Sequence, residues 1–198
     1  MTYTAALLFG GLAQPDAFSS ADDATSDPGA DTASSAWIYN QVATNLTGIL
    51  ILLFALGLWR ALSPQVLGRV GAGLLALQGF TLFLQGFFNL DCQGIDPGCE
   101  NTSWESDGHR WVVRISGACL FTAPIVLAFA FRRLPRWRDT WLPTLLAVPF
   151  FIAASILGSI IGDGASTRAR AVAWFLWLGF VAFGLLQKLG EGGVRTAV

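Results

Sequence analysis

The chain has little charge, a single histidine and none of the short motifs that announce soluble catalysis. Charged residues make up 13% of it, about half of what a soluble domain usually carries. There is no Gly-rich phosphate loop, no H-E-x-x-H and no G-x-S-x-G, which removes the common nucleotide, zinc-protease and serine-hydrolase readings. Membrane metal hydrolases gather several His and acids, and His109 alone leaves too few ligands. The apolar runs hold no acid at their centres, so proton coupling through a mid-membrane carboxylate is not expected. The start of the chain lacks the basic stretch of a signal peptide.

What the chain does have is apolar sequence. Mean hydropathy is +0.56, and hydrophobic residues make up 54% of the chain. Long apolar runs near 37–59, 67–90, 111–131, 141–162 and 171–187 follow a shorter one at 4–13. A helix crossing a ~30 Å hydrocarbon core needs ~20 residues. The expectation is an all-α polytopic bundle of six helices in one transmembrane domain, 1–198. The helices fall near 3–14, 37–60, 66–90, 109–131, 139–162 and 168–189, with outer loops at 15–36 and 91–108. The first run gives only ~15 Å of helix, so it is either a thin first span or a re-entrant or interfacial piece.

Charge sign gives the orientation. Arg60 and Arg69 occupy one connector, Arg132, Arg133, Arg136 and Arg138 another, and Lys188 and Arg195 the C-terminal tail. The alternate segments are acidic: Asp16, Asp22, Asp23, Asp27 and Asp31, then Asp91, Asp96, Glu100, Glu105 and Asp107, then Asp163. Basic connectors stay cytoplasmic. Both termini are therefore expected inside, with 14–36, 91–108 and 163–168 outside, in a multi-pass protein of the cell membrane.

Polar residues mark the helix faces. Asn40, Gln41, Thr44, Asn45 and Thr47 crowd the start of the second run, and Gln78, Thr81, Gln85 and Asn89 recur at helical spacing in the third. Amides facing lipid are costly, so both stripes should point inward. They serve either as interhelical hydrogen-bond glue or as the wall of a polar vestibule open to the outside. His109, Arg110 and Arg114 open the fourth run, and Arg168 and Arg170 precede the sixth. Arg114 should pair with Asp27 or Asp91, or else snorkel to the interface. The four arginines either hold an anionic headgroup or balance the nearby acids. Pro124 and Pro149 lie inside helices, where kinks are expected. Ala154, Gly158 and Gly162 form a small-residue stripe that suits close packing within the chain or between chains. Trp37, Trp59, Trp104, Trp111, Trp137 and Trp141 sit near predicted helix ends as an aromatic belt, with Trp174 and Trp177 deeper. Cys92 and Cys99 flank an Asp-Pro-Gly turn in an outer loop, which predicts a disulfide in an oxidising compartment.

The stretch Ser26-Asp27-Pro28-Gly29-Ala30, after Phe18-Ser19 and before Trp37 to Asn40, resembles the prokaryotic six-helix membrane family catalogued as domain of unknown function 998. Pro28 stands where that family usually has Leu. Asp91 and His109 would be its polar residue after the third helix and its His opening the fourth. The resemblance implies six helices and no assigned activity. The expected function is a non-catalytic lipid-binding, sensor or accessory protein. Its outer polar pocket would be built from Asp23, Ser26, Asp27, Asn40, Asn45, Gln85, Asp91, His109, Arg110, Arg114, Arg168 and Arg170. A membrane-embedded hydrolase or a small-molecule transporter using the same vestibule is the alternative. Membrane lipids are the expected partners, with an anionic headgroup or another membrane protein beside them. No nucleic acid, cofactor or metal is expected.

Overall fold

The computed structural model describes Tyr3 and residues 11–195, with side chains as far as Lys188. Among the described residues the fold is all-helical. A π-helical turn, Ile38–Leu46, runs directly into α1, Thr47–Leu62. Then follow α2, Val66–Gln85, α3, Trp104–Arg133, α4, Trp141–Ser159, and α5, Asp163–Arg195. Among the described residues five helices are long and apolar enough to cross a membrane, the first of them counted as Ile38–Leu62. The expected first helix, 3–14, lies outside the described residues except for Tyr3 and 11–14.

Neighbours in sequence are neighbours in space. Among the described residues α2 packs between α1 and α3, α4 packs on α3, and α5 packs on α4, without comparable packing between α3 and α5. Close approach is set by small residues. A Cβ on Gly48 would lie 2.6 Å from the carbonyl oxygen of Gly79 on α2, and one on Gly158 would lie 2.7 Å from that of Ala165 on α5. The Ala154–Gly158–Gly162 stripe thus packs within the chain, with Gly162 against the 21–22 loop.

Two helices start earlier than their apolar runs suggest. α3 begins at Trp104 because Ser103 caps it, its Oγ accepting from Ser106 N, with Glu105 and Asp107 in the first turn. α5 begins at Asp163, so the expected 163–168 connector is helix. Acids in a first turn favour the positive end of the helix dipole; a charge count alone reads them as loop. α2 stops at Gln85, short of the expected 90, where Gly86 approaches Asn45 and the Asn40 carbonyl.

The two ends of the bundle differ. At the arginine end, which carries Arg60, Arg69 and Arg132 to Arg138, Leu58, Leu62, Leu127, Phe131 and Val181 are fully buried. Trp137 is buried too, stacked on Phe131 at 4.8 Å, not exposed in a belt. Lys188 Nζ lies 3.3 Å from Asp139 and 5.0 Å from the Trp137 ring centre. Trp174 and Trp177 are likewise buried among helices. At the other end, the loop end, residues 11–37 and 86–103 fold over the helices.

Candidate functional site

The loop end is built on main-chain amides satisfied by side chains. Cys92 and Cys99 are joined in a disulfide. Beside it Asn101 spans the Cys92 peptide, accepting from Cys92 N at 3.1 Å and donating to Cys92 O at 3.2 Å. The two loops are stitched together: Thr32 Oγ1 donates to Asp96 at 2.5 Å, Gln93 Nε2 to Gln14 at 2.8 Å, and Asp31 N to Leu90 O at 2.9 Å. Ala165 N donates to Ala21 O at 2.7 Å, which ties the first loop to α5.

Beneath this cover lies a cavity of about 410 Å³ between α2, α3 and α5. Thr25 and Ser26 come from the loop, Gln78, Leu82 and Gln85 from α2, His109, Arg110, Arg114 and Leu120 from α3, and Arg170, Trp174 and Phe175 from α5. Tyr3 lines it as well, its ring 5.1 Å from that of Phe175. Among the described residues the lining includes three arginines and no carboxylate.

Of the twelve residues the sequence nominates, Ser26, Gln85, His109, Arg110, Arg114 and Arg170 line this cavity. The other six do not, and each has a structural task. Asp23 accepts from Ser19 N at 2.7 Å. Asp27 is buried and accepts from Gly94 N at 3.2 Å. Burial pushes the Asp27 carboxyl above its ordinary value, against the Gly94 amide, which favours the charged form. Asn40 donates to Gly29 O at 3.0 Å. The Asn45 amide, with its nitrogen turned toward α2, donates to Phe83 O at 2.7 Å. Asp91 accepts from Thr102 N at 2.8 Å and Ser103 N at 2.9 Å. Hydrogen bonds from the side chain and main chain of Ser103, then from Thr102, hold its carboxyl below the ordinary value. Arg168 donates to Asp23 O at 3.0 Å and lies over the Phe18 ring.

These assignments correct one expectation. Arg114 does not pair with Asp27 or Asp91; main-chain amides donate to Oδ2 of each carboxylate instead. Its guanidinium lies 5.3 Å from the Trp111 ring centre, and among the described residues it forms no ion pair. Arg170 forms none either. Arg110 pairs with Asp107 and donates to Asn101 O at 3.0 Å. His109 is buried, with Nδ1 2.8 Å from Phe88 O; a carbonyl only accepts, so Nδ1 carries the proton in that bond. Among the described residues no three His, Cys, Asp or Glu side chains converge as metal ligands.

The two polar stripes serve different ends. The first makes local bonds: Asn40 and Asn45 bond as above, and Thr44 Oγ1 donates to Asn40 O at 2.6 Å within its own helix. The second opens partly into the cavity through Gln78 and Gln85. Sequence reasoning left Gln78 and Trp174 out of the site. Gln78 carried a signal, its place in the stripe. Trp174 carried none, because a tryptophan in an apolar run suits lipid and interior equally.

A family model described as a protein of unknown function (DUF998) matches residues 1–186. No curated protein and no solved structure matches the chain.

Proposed function

The chain belongs to the DUF998 family, and from that premise we propose that it is a non-catalytic membrane protein holding the anionic headgroup of an amphiphile in the α2–α3–α5 cavity. One observation carries the reading. Arg114 and Arg170 line a cavity with no carboxylate in its described lining, and neither has an ion-pair partner. Arg170 is half-buried and Arg114 is exposed beside Trp111; uncompensated guanidinium groups there favour an oxyanion, which they bind through charge-assisted hydrogen bonds. Leu82, Leu120 and Phe175 offer an apolar wall beside them, as a headgroup with an attached chain requires.

In this reading the loop end faces the extracytoplasmic side, both termini are cytoplasmic, and the bundle has six helices. The arginines gathered at the opposite end support that orientation. The cavity then lies in the outer leaflet.

The test uses the full chain, purified in an uncharged detergent, and hexadecyl phosphate as probe, with bound probe counted by native mass spectrometry. An arginine–phosphate bond contributes ~1.5–3 kcal/mol, so the double substitution Arg114→Gln/Arg170→Gln should weaken binding at least about tenfold. Equal binding by the two proteins would remove the proposal.

A further inference from the structure

The densest charge in the molecule lies at the arginine end, away from the cavity. Arg132, Arg133, Arg136 and Arg138 fall where α3 turns into α4. All four are exposed. The one carboxylate of that turn, Asp139, is engaged by Lys188 at 3.3 Å. Among the described residues none of the four arginines has an ion-pair partner.

The turn is not a loose basic tail. Trp137, between Arg136 and Arg138, is only 3% exposed and stacks on Phe131. Thr140 Oγ1 donates to Trp137 O at 2.7 Å. The buried indole pins the turn and leaves its arginines on the outside. Arg132 rests against the half-buried Trp141, its guanidinium carbon 5.2 Å from the ring centre.

The surface next to the arginines is apolar. Ile125, Phe129 and Arg133 recur every four residues, so they follow one another along one face of α3. Ile125 is 37% exposed and Phe129 48%. Arg133 therefore ends an exposed apolar stripe, with Arg132 beside it in the same helical turn. Such a surface matches a lipid, chain against the stripe and phosphate against the guanidinium groups. An acidic soluble partner would match the arginines and leave Ile125 and Phe129 unmatched.

We propose that the α3–α4 turn binds an anionic phospholipid of the leaflet at the arginine end, with Arg132 and Arg133 holding the phosphate and Ile125 and Phe129 bordering a chain. Arg136 and Arg138 add to the positive potential that draws the headgroup in. The site is separate from the α2–α3–α5 cavity and does not rest on the anion reading made there.

The test uses the full chain carrying Arg114→Gln/Arg170→Gln, which takes the cavity arginines out of the measurement. It is held in uncharged detergent with equal amounts of dioleoyl phosphatidylglycerol and dioleoyl phosphatidylcholine, and bound lipid is counted by native mass spectrometry. This chain should retain the phosphatidylglycerol in preference. Adding Arg132→Gln/Arg133→Gln should lower the preference about thirtyfold, at about fivefold for each arginine near a lipid surface. Arg133→Gln alone should lower it about fivefold, and it serves if the double change fails to insert. If the starting variant fails to fold, the same turn substitutions are read in the otherwise wild-type chain as the loss of one bound phosphatidylglycerol. Equal retention of the two lipids with the turn intact overturns the proposal. So does a preference that the turn substitutions leave unchanged. Displacement of the lipid by inorganic phosphate at equal concentration overturns it as well, because the chain would then contribute nothing. Displacement by a polyglutamate peptide overturns it by assigning the turn to an acidic soluble partner.

Discussion

The arginine end and the loop end of this bundle solve the same problem, burying helix faces, in opposite ways. The arginine end is filled with side chains that carry no polar atoms or only one. Leu58, Leu62, Leu127, Phe131 and Val181 are fully buried, and Trp137 stacks on Phe131. The loop end buries Asp27, Asn40, Thr44, Asn45, Gln78, Gln85, Gln93, Ser106 and His109, and it leaves a cavity. Inside a membrane there is no water to drive apolar contact, so close packing gives the first end its stability. The second end exchanges some of that packing for directed hydrogen bonds and free space. The difference separates a part that holds the fold from a part that can hold something else.

The comparison breaks most visibly at Phe131. Phe131→Ala should cost ~3–5 kcal/mol, the range for a large core aromatic. Leu120→Ala, at the half-buried cavity wall, should cost much less, because its neighbours already border open space. Thermal unfolding in detergent would measure both. Equal losses would show that the two ends are packed alike.

Next comes the disulfide. Cys92→Ser/Cys99→Ser opens a loop closed over a sequence separation of 7, so the stabilisation lost should be at the low end of the ~2–4 kcal/mol range. Hydrogen exchange should rise in residues 14–34 and 90–103, which the stitched loops share. It should stay unchanged in α1 and in the arginine-end half of α3. A uniform rise would mean that the ends are not separable.

Smaller effects come from two carboxylates of the loop end with opposite settings. Asp27 has a folded value raised above 3.8, so its contribution is complete below 3.8 and is lost as the pH rises through the raised value. Asp91 has a folded value lowered from 3.8. Its contribution is present above 3.8 and lost as the pH falls through the lowered value. Asp27→Asn should therefore gain on the wild type as the pH climbs above 3.8, and Asp91→Asn should lose on it as the pH climbs from the lowered value to 3.8, with no further change above. Melting temperatures across a pH series would show the two curves diverging; parallel curves would refute the assignment. Finally, orientation changes no stability but sharpens which end faces where. In a Cys119→Ser background, Asp16→Cys should react with an impermeant maleimide on intact cells, and Arg136→Cys only after permeabilisation. The reverse pattern would invert the topology.

Much of the frame was legible in the sequence, because hydropathy and charge are properties of stretches. The five long apolar runs correspond to the five described helices, and the Cys92–Cys99 pairing follows from a turn of six residues between the thiols. The inward stripe of Gln78, Thr81 and Gln85 was legible too, from the cost of amides in lipid. The site was legible only in part. A carboxylate's sign tells which end of the molecule it occupies, but not which backbone N–H it will meet. Hence Asp27 and Asp91 looked like partners for Arg114, while in the fold they meet the amides of Gly94, Thr102 and Ser103. Trp174 was hidden because its ring satisfies an apolar pattern, and its single N–H leaves no trace in hydropathy.

The unequal helix lengths carry a consequence for the surrounding bilayer. α4 has 19 residues and α3 has 30, about 28 Å and 45 Å of axis. A hydrocarbon layer of ~30 Å matches the first and is overrun by the second. α4, the shortest of the five described spans, thus limits the lipid thickness that suits the bundle without distortion, and a thicker layer would have to thin around it at a modest cost for each ångström. The longer helices have length to spare, and α3 spends it at its beginning, where Trp104 to Arg110 stand as a post beside the loops. The roof over the cavity therefore rests on a support that rises beyond the hydrocarbon, so the height of the chamber should hold when membrane thickness changes.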